Sequence, residues 1–191
     1  LNDPAKWYYV VKSLYNMKNI NFLSFGSVVP VVNKTDDIIY EVLLPDENII
    51  NIDKENLLKY NSSISIANIS NYLDDLIGIP YIWGGKSSMG YDCSGLVQII
   101  MFLLGFKFPR DTSDQINFNK IIKISKKPIL GDLIFFKKDN IVCHVGFYLN
   151  SNEFIHSSGC VKISSIYKDN KYFDHELAQL QNELYRVKYD C

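Results

Sequence analysis

The stretch YDCSGLVQII, residues 91–100, sets one cysteine, with an acid before it and a serine after it, in front of an almost wholly apolar run. The run goes on through MFLLGF, residues 101–106, but it is too short to cross a bilayer and it contains Gln98. It therefore reads as a buried helix that ends near Gly105. Asp92 is suited to cap the start of that helix. The unpaired N–H groups of a first helical turn favour a thiolate, so Cys93 is the cysteine expected to have raised thiolate character. Asp92 alone opposes that ionisation, so the thiol needs a base or an imidazolium beside it. The glycine-rich segment YIWGGKSSMGYD, residues 81–92, lets backbone come close to a ligand.

The base has to come from elsewhere in the chain, and the histidines are His144, His156 and His175. IVCHVGFYL, residues 141–149, reads as a strand. Alternation puts Ile141, Cys143, Val145 and Phe147 on one face and His144, Val142, Gly146 and Tyr148 on the other. His156 sits in the next strand, EFIHSS, residues 153–158. A loop with an even number of residues would turn the two histidines to opposite faces. A three-residue loop, Asn150–Ser151–Asn152, sets Leu149 opposite Glu153 and Gly146 opposite His156, and both histidines then share a face. Asn suits the left-handed position of such a hairpin. Histidines so placed can serve as base and orienter for a thiol nucleophile. His175, in the charged segment YFDHEL, reads as a surface residue. Cys143 and Cys160 read as small core residues. No C-x-x-C pair occurs, so a zinc site is not expected, and nothing calls for a cofactor.

The rest of the chain sorts around this centre. It has 191 residues, of which 47% are hydrophobic and 14% aromatic, enough for one domain or a domain plus a small module. A net charge of -1 leaves no footprint for nucleic acid or an anionic membrane. WYYVV, SVVPVV, IIYEVLL and IINI are short strands parted by turn residues, which points to a small β-barrel over residues 1–60. YNSSISI, residues 60–66, reads as a linker to a second domain over residues 67–191. A helix is expected from Asn68 to about Ile77, stopped by Gly78 and Pro80. After Gly131 an antiparallel meander follows, then a tail with a short helix and a final strand. The opening LNDPAKWYYVV lacks the basic and apolar segments of a secretory leader. A cytoplasmic place is the expectation, or a periplasmic or extracellular one if residues precede Leu1. The oligomeric state is open.

YIWGGKSSMGYDCSGLVQ resembles the Y-x-W-G-G…D-C-S-G-L-V signature of the NlpC/P60 cysteine peptidases. FPRDTSDQ resembles their P-R-x-S-x-x-Q segment, with Thr112 in place of Ser. GDLIFF, HVGFYL and FIHSSG…VKISSI are similar to the next blocks, in the same order, so the resemblance covers about residues 68–167. The stretch from Leu23 to Tyr60 resembles a bacterial SH3-type domain, with PDEN where a glycine turn is usual. The resemblance implies an α+β, papain-like domain preceded by an SH3-like β-barrel. It implies Cys93 as nucleophile, His144 as general base, His156 as orienting residue, and the Tyr81 hydroxyl with the Cys93 N–H at the oxyanion. The implied reaction is cleavage between D-glutamate and a diamino acid in cell-wall peptides. In members that act on released muropeptides, a free L-alanine amine would meet Asp92, Ser94 and Tyr81, with Thr112 as a further substrate-binding candidate. Tyr8, Tyr9, Tyr40 and Glu41 are candidates for the SH3-type domain's share of that pocket. An amidase or acyltransferase of the same superfamily, or an inert wall-binding module, are the competing readings.

Overall fold

The computed structural model describes residues 6–12, 14–16, 21–60 and 62–188. The opening residues LNDPA and Cys191 lie outside the described residues. The chain forms two compact units, Leu1–Ile64 and Ser65–Cys191.

The first unit is built of strands β1 (Trp7–Val10), β2 (Leu14–Asn16), β3 (Asn21–Leu23), β4 (Val28–Lys34), β5 (Ile39–Leu43), β6 (Ile49–Asp53) and β7 (Leu57–Lys59). Five of them pair in the order β6-β5-β4-β1-β7, and every neighbouring pair is antiparallel. Alternation along each strand buries one face. Tyr8 and Val10, Val29 and Val31, Tyr40 and Val42, and Ile52 form a single cluster. Among the described residues β6 and β7 remain the two edges of this sheet, and its closure into a barrel is not seen.

The second unit holds the opening stretch. Two 3-10 turns, Ile66–Tyr72 and Asp74–Leu76, replace the α-helix expected there. The apolar spacing still works, because Ile69, Leu73 and Leu76 are all buried. Gly78, at φ +87°, ends the segment in a conformation that side chains resist. A small ribbon follows, β8 (Lys86–Ser87) with β9 (Gly90–Tyr91), and then helix α1 (Cys93–Leu103). The short helix α2 (Thr112–Gln115) leads to β10 (Ile121–Ile124), β11 (Leu133–Lys138), β12 (Ile141–Tyr148), β13 (Phe154–Ser158) and β14 (Cys160–Ser164). Helix α3 (His175–Ala178) and strand β15 (Gln181–Val187) close the described tail.

The six-stranded sheet runs β10-β15-β11-β12-β13-β14, again antiparallel throughout. Both of its faces are covered. Ile134, Phe136, Tyr148 and Phe154 pack with Ile166, Leu177, Leu180 and Leu184 on one side. Leu133, Phe135, Val145, Phe147 and Ile155 point the other way and are also buried. Helix α1 lies against β12 and β13. All but one of its residues are buried, which explains a segment that is apolar nearly all round. Its buried Gln98 is satisfied by the carbonyl of Phe108 at 2.9 Å.

Two turns set the register that matters. Asp139 and Asn140, at φ 52° and 64°, make a two-residue turn between Lys138 and Ile141, the mirror-image type that suits strand twist. Between β12 and β13 the Leu149 N–H donates to the Glu153 carbonyl at 2.9 Å, which leaves a three-residue loop, Asn150–Asn152, beyond that pair. Phe147 and Tyr148 stand opposite Ile155 and Phe154, which carries Gly146 opposite His156. The expected left-handed asparagine is not used there. Instead the Asn150 side chain accepts the N–H groups of Asn152 and Glu153, at 2.9 and 3.0 Å, and closes the loop in place of a backbone turn.

Candidate active site

Cys93 is the first residue of α1, and Asp92 is its N-cap. The Asp92 carboxylate accepts the Gly95 N–H at 2.6 Å, as a capping side chain should. The glycine loop lies flat against this corner because glycines meet there. A Cβ on Gly95 would overlap the Gly85 carbonyl, and one on Gly85 would run into the carbonyls of Gly90 and Ile82. The Gly84 N–H also donates to Asp92, at 2.9 Å, so one carboxylate holds both the helix start and the loop.

The sheet opens where the helix arrives. The ladder between β12 and β13 covers only Phe147/Ile155 and Tyr148/Phe154. Beyond it Val145, the residue after His144, lies near enough to Cys93 for its N–H to act on the thiol. Burial is the largest influence on Cys93 and pushes its thiol up, and the Asp92 charge adds to the rise. The N–H groups of Val145, Ser94 and Cys93 itself pull the other way without reversing it. Burial thus weighs against the raised thiolate character expected from the helix N-terminus.

His144 and His156 lie on one face of the sheet, as the three-residue loop requires. Nε2 of His144 is 2.7 Å from Nδ1 of His156, and Nε2 of His156 is 2.9 Å from the hydroxyl of Ser164. The rings stand edge to face, 5.0 Å apart between centroids. They rest on an aromatic floor, with Phe136 against His144 and Phe154 against His156. Gly146 makes room for that floor, since a Cβ there would come within 2.6 Å of the Phe154 ring. Burial holds both imidazoles well below the usual histidine range. At His144 the charge of Asp174 opposes the drop and Lys162 assists it; at His156 both His144 and Lys162 assist it. His175 is exposed, bonded to Gln179, and takes no part.

Tyr81 is half-buried, its backbone tied by the Tyr81 N–H to the Gly159 carbonyl at 2.9 Å. Burial first, and then the charges of Cys93 and Asp92, push its hydroxyl up, which places that hydroxyl in the field of both groups.

The Asp92 carboxylate, expected to meet a substrate amine, is itself gripped by Arg110. Nη1 donates to Oδ1 at 2.9 Å and Nη2 to Oδ2 at 2.6 Å. Ser94 is drawn into the same network, accepting from Arg110 Nη1 at 2.8 Å and donating to Asp92 at 3.2 Å. Burial alone would raise the Asp92 carboxyl, but Arg110 and the N–H groups of Gly95 and Gly84 hold it below the usual range.

Thr112 opens α2, half-buried, and the residue of its segment that joins Asp92 and Ser94 is Arg110. Gln115 fastens the segment down. Its amide donates to the carbonyls of Ser94 and Pro109, each at 2.9 Å. Arg110, Gln115 and Ser164 are the residues that sequence reasoning passed over. Arg110 had a signal, because a buried aspartate at a helix start needs a countercharge and FPRDTSDQ supplies the nearest arginine. Cys143 is a further correction: it is exposed rather than core. The β11–β12 ladder passes from Phe136/His144 to Lys137/Val142, so Cys143 is the extra residue of a bulge, and Ile141 beyond it is exposed as well.

A thiol-bearing helix laid on an antiparallel sheet that carries paired imidazoles is a papain-like α+β arrangement. Residues 78–181 match the model of the NlpC/P60 family, and the chain belongs to that family. It is 34% identical over 145 residues to the gamma-D-glutamyl-L-lysine dipeptidyl-peptidase of Bacillus cereus (strain ATCC 10987 / NRS 248), a match that covers 71% of this chain and 42% of that one. It is 37% identical over 124 residues to a probable endopeptidase of Haemophilus influenzae (strain ATCC 51907 / DSM 11121 / KW20 / Rd), covering 62% of this chain and 74% of the other. A crystal structure of an NlpC/P60 family protein from Bacillus cereus ATCC 10987 aligns with a TM-score of 0.69 at 25% identity, over 96% of this chain and 61% of that one. The chain spans less than half the length of the Bacillus cereus dipeptidyl-peptidase and of its Bacillus subtilis (strain 168) counterpart.

Proposed function

We propose that the chain is a cysteine peptidase that hydrolyses the γ-D-glutamyl–diamino acid bond of cell-wall peptides. The observation that carries this reading is the pairing of His144 with His156 at 2.7 Å on the strands against which α1, with Cys93 as its first residue, lies.

Nε2 of His144 is taken by His156, so Nδ1 is the nitrogen left for the thiol. Because burial favours a neutral resting pair, the proton moves as the sulfur attacks: the S–H bond breaks, Nδ1 gains the proton, and the sulfur's electron pair goes to the scissile carbonyl carbon. The developing oxyanion meets the Cys93 N–H and the Tyr81 hydroxyl. On collapse the C–N bond breaks and the imidazolium returns its proton to the departing amine. Water then hydrolyses the thioester, with the same imidazole as base. His156 orients His144 throughout.

The finer reading is a released peptide with a free N-terminal L-alanine, its amine placed among Tyr81, Ser94 and Asp92. The names of the two Bacillus dipeptidyl-peptidases support it, as does the shared position of Tyr81 and Asp92 beside Cys93. An ammonium there has to share Asp92 with Arg110. We assign the first unit as an SH3-like domain, residues 1–60, ahead of the peptidase domain, residues 67–191, on the antiparallel strand order and the LSFG…LPDEN sequence. Released wall peptides as substrate favour the cytoplasm as the place of work.

The test is incubation with L-Ala-γ-D-Glu-L-Lys and its meso-diaminopimelate counterpart, read by mass spectrometry for release of L-Ala-D-Glu. Cys93→Ala should abolish release with the fold intact by circular dichroism. Release that persists in this variant rules out the cysteine mechanism.

A further inference from the structure

The line of polar contacts does not stop at His156. Ser164, on β14, is 3% exposed, and its hydroxyl is 2.9 Å from Nε2 of His156, itself 0% exposed. Register explains the contact. His156 stands opposite Lys162 and Phe154 opposite Ser164, so Ser164 lies diagonally across the same face.

We infer that Ser164 is a positioning residue, whose hydroxyl accepts the Nε2 proton of His156 and thereby leaves Nδ1 of His144 bare toward the thiol. This rests on the peptidase reading above. A neutral imidazole has one N–H and one bare nitrogen. Two neutral rings and a hydroxyl in a row must therefore point their protons the same way along the whole line. In one sense His144 Nε2–H donates to His156 Nδ1, and His156 Nε2–H donates to Ser164. Nδ1 of His144 is then a free base. In the other sense Ser164 O–H donates to His156 Nε2, His156 Nδ1–H donates to His144 Nε2, and Nδ1 of His144 already carries a hydrogen. That second arrangement cannot accept the thiol proton.

The first sense also survives the proton transfer. Once Nδ1 of His144 is protonated, its Nε2–H still donates to His156 Nδ1, and nothing further along has to move. His156 stays neutral because it is buried and because the charged groups around the pair do not help it ionise. Lys162 disfavours charge on both rings, and Asp174, 3.6 Å from Lys162, acts on His144. A hydroxyl suits this position better than a carboxylate, since it accepts a proton donor without drawing the proton onto itself. The closing of the line on a serine thus sets the tautomer of a histidine two links away.

The experiment uses the full chain with ¹⁵N-labelled histidine, in the wild type and in Ser164→Ala and Ser164→Thr. Imidazole ¹⁵N shifts at neutral pH should place the proton of wild-type His156 on Nε2. Ser164→Ala should lose that single tautomer. Its kcat on the tripeptide should fall roughly 10- to 100-fold, a part of what a whole general base contributes, with KM within about twofold. Ser164→Thr keeps the hydroxyl and should restore most of both signals. A wild-type His156 protonated on Nδ1 overturns the inference, and so does a Ser164→Ala variant with unchanged kcat. The tautomer measurement needs no turnover, so it decides the inference even if Cys93→Ala disproves the peptidase reading.

Discussion

Arg110 holds Asp92 in a two-pronged grip at 2.6 and 2.9 Å, and the carboxylate it neutralises is only 7% exposed. That carboxylate also caps α1 and ties down the loop at Gly84, so one ion pair holds the helix start that carries Cys93. Arg110→Met strands a buried charge. Removing one partner of a fully buried pair costs about 3–5 kcal/mol, and with Arg110 partly open to water we expect about 2–3 kcal/mol. Urea unfolding measures it. Asp92→Asn combined with Arg110→Met should recover part of the loss, and full additivity of the two single changes would show that the pair is not coupled. The Asp92 carboxyl is held below its unfolded value, so this stability is present above about pH 4 and is lost as pH falls through the lower, folded value.

The two imidazoles set a second pH dependence. His144 and His156 are both lowered by burial, so they fold neutral and charge on unfolding. Their contribution is complete above the unfolded value of about 6.5 and is lost as pH drops below it. For catalysis, His144 must be neutral to accept the thiol proton. With Cys93 raised and His144 lowered, kcat/KM should be flat through neutrality, with an acid limb below the ordinary histidine range. A pH–rate profile with its acid limb near 6.5 or above would show a solvated base instead.

Thiol chemistry should invert a naive ranking. Cys143 is exposed, whereas Cys93 is buried with its thiol pushed up. A bulky aromatic disulfide at neutral pH should therefore modify Cys143 before Cys93. Cys143→Ser should remove the fast phase and leave peptide release unchanged. Loss of activity in Cys143→Ser would place that thiol in the mechanism after all.

How much of this could be read from the chain alone differs from residue to residue. Parity reduced the placing of His144 and His156 to one question, whether the loop between them is odd or even, and Leu149 opposite Glu153 answers it. The capped helix at Cys93 was equally legible, since a cap, an apolar run and Gly105 are all local signals. Partners brought from afar were not. Arg110 reaches Asp92 across 18 residues, and Ser164 reaches His156 across a hairpin. The exposure of Cys143 goes with the bulge that skips it in the β11–β12 ladder, which strict alternation cannot supply. The helix expected from Asn68 kept its buried spacing but wound as 3-10 turns, which short segments without a cap readily do.

Close approach at the glycine corner yields a sharp test. Gly95→Ala places a methyl against the Gly85 carbonyl and 2.9 Å from the Asp92 carboxylate, so either the loop or the helix start must move. Overpacking of this kind costs about 1–3 kcal/mol. The effect on rate should be larger than stability implies, since a displacement near 1 Å at the nucleophile costs on the order of 100-fold. A variant with normal kcat/KM and a lowered melting temperature would show that the loop gives way without moving Cys93.

The last prediction concerns the free end of the substrate. An ammonium placed beside an open buried carboxylate would be worth several kcal/mol, but Asp92 already carries a cation. Each of its oxygens takes one nitrogen of Arg110, besides the N–H groups of Gly95 and Gly84. What remains for an amine is a hydrogen bond to a neutralised pair and to the hydroxyls of Ser94 and Tyr81, worth about 1–2 kcal/mol. N-acetylation of L-Ala-γ-D-Glu-L-Lys should therefore lower kcat/KM by roughly 5- to 30-fold. Tyr81→Phe should narrow that ratio while Asp92 and Arg110 stay in place. Asp92→Asn is the poorer probe, because it also releases Arg110 and the helix cap. The measurement is a paired assay of the free and acetylated peptides on wild type and Tyr81→Phe. Equal rates on the two peptides would remove the amine pocket and leave the chemistry at Cys93 standing. A ratio above about 1,000 would mean that Arg110 swings away from Asp92 when substrate binds.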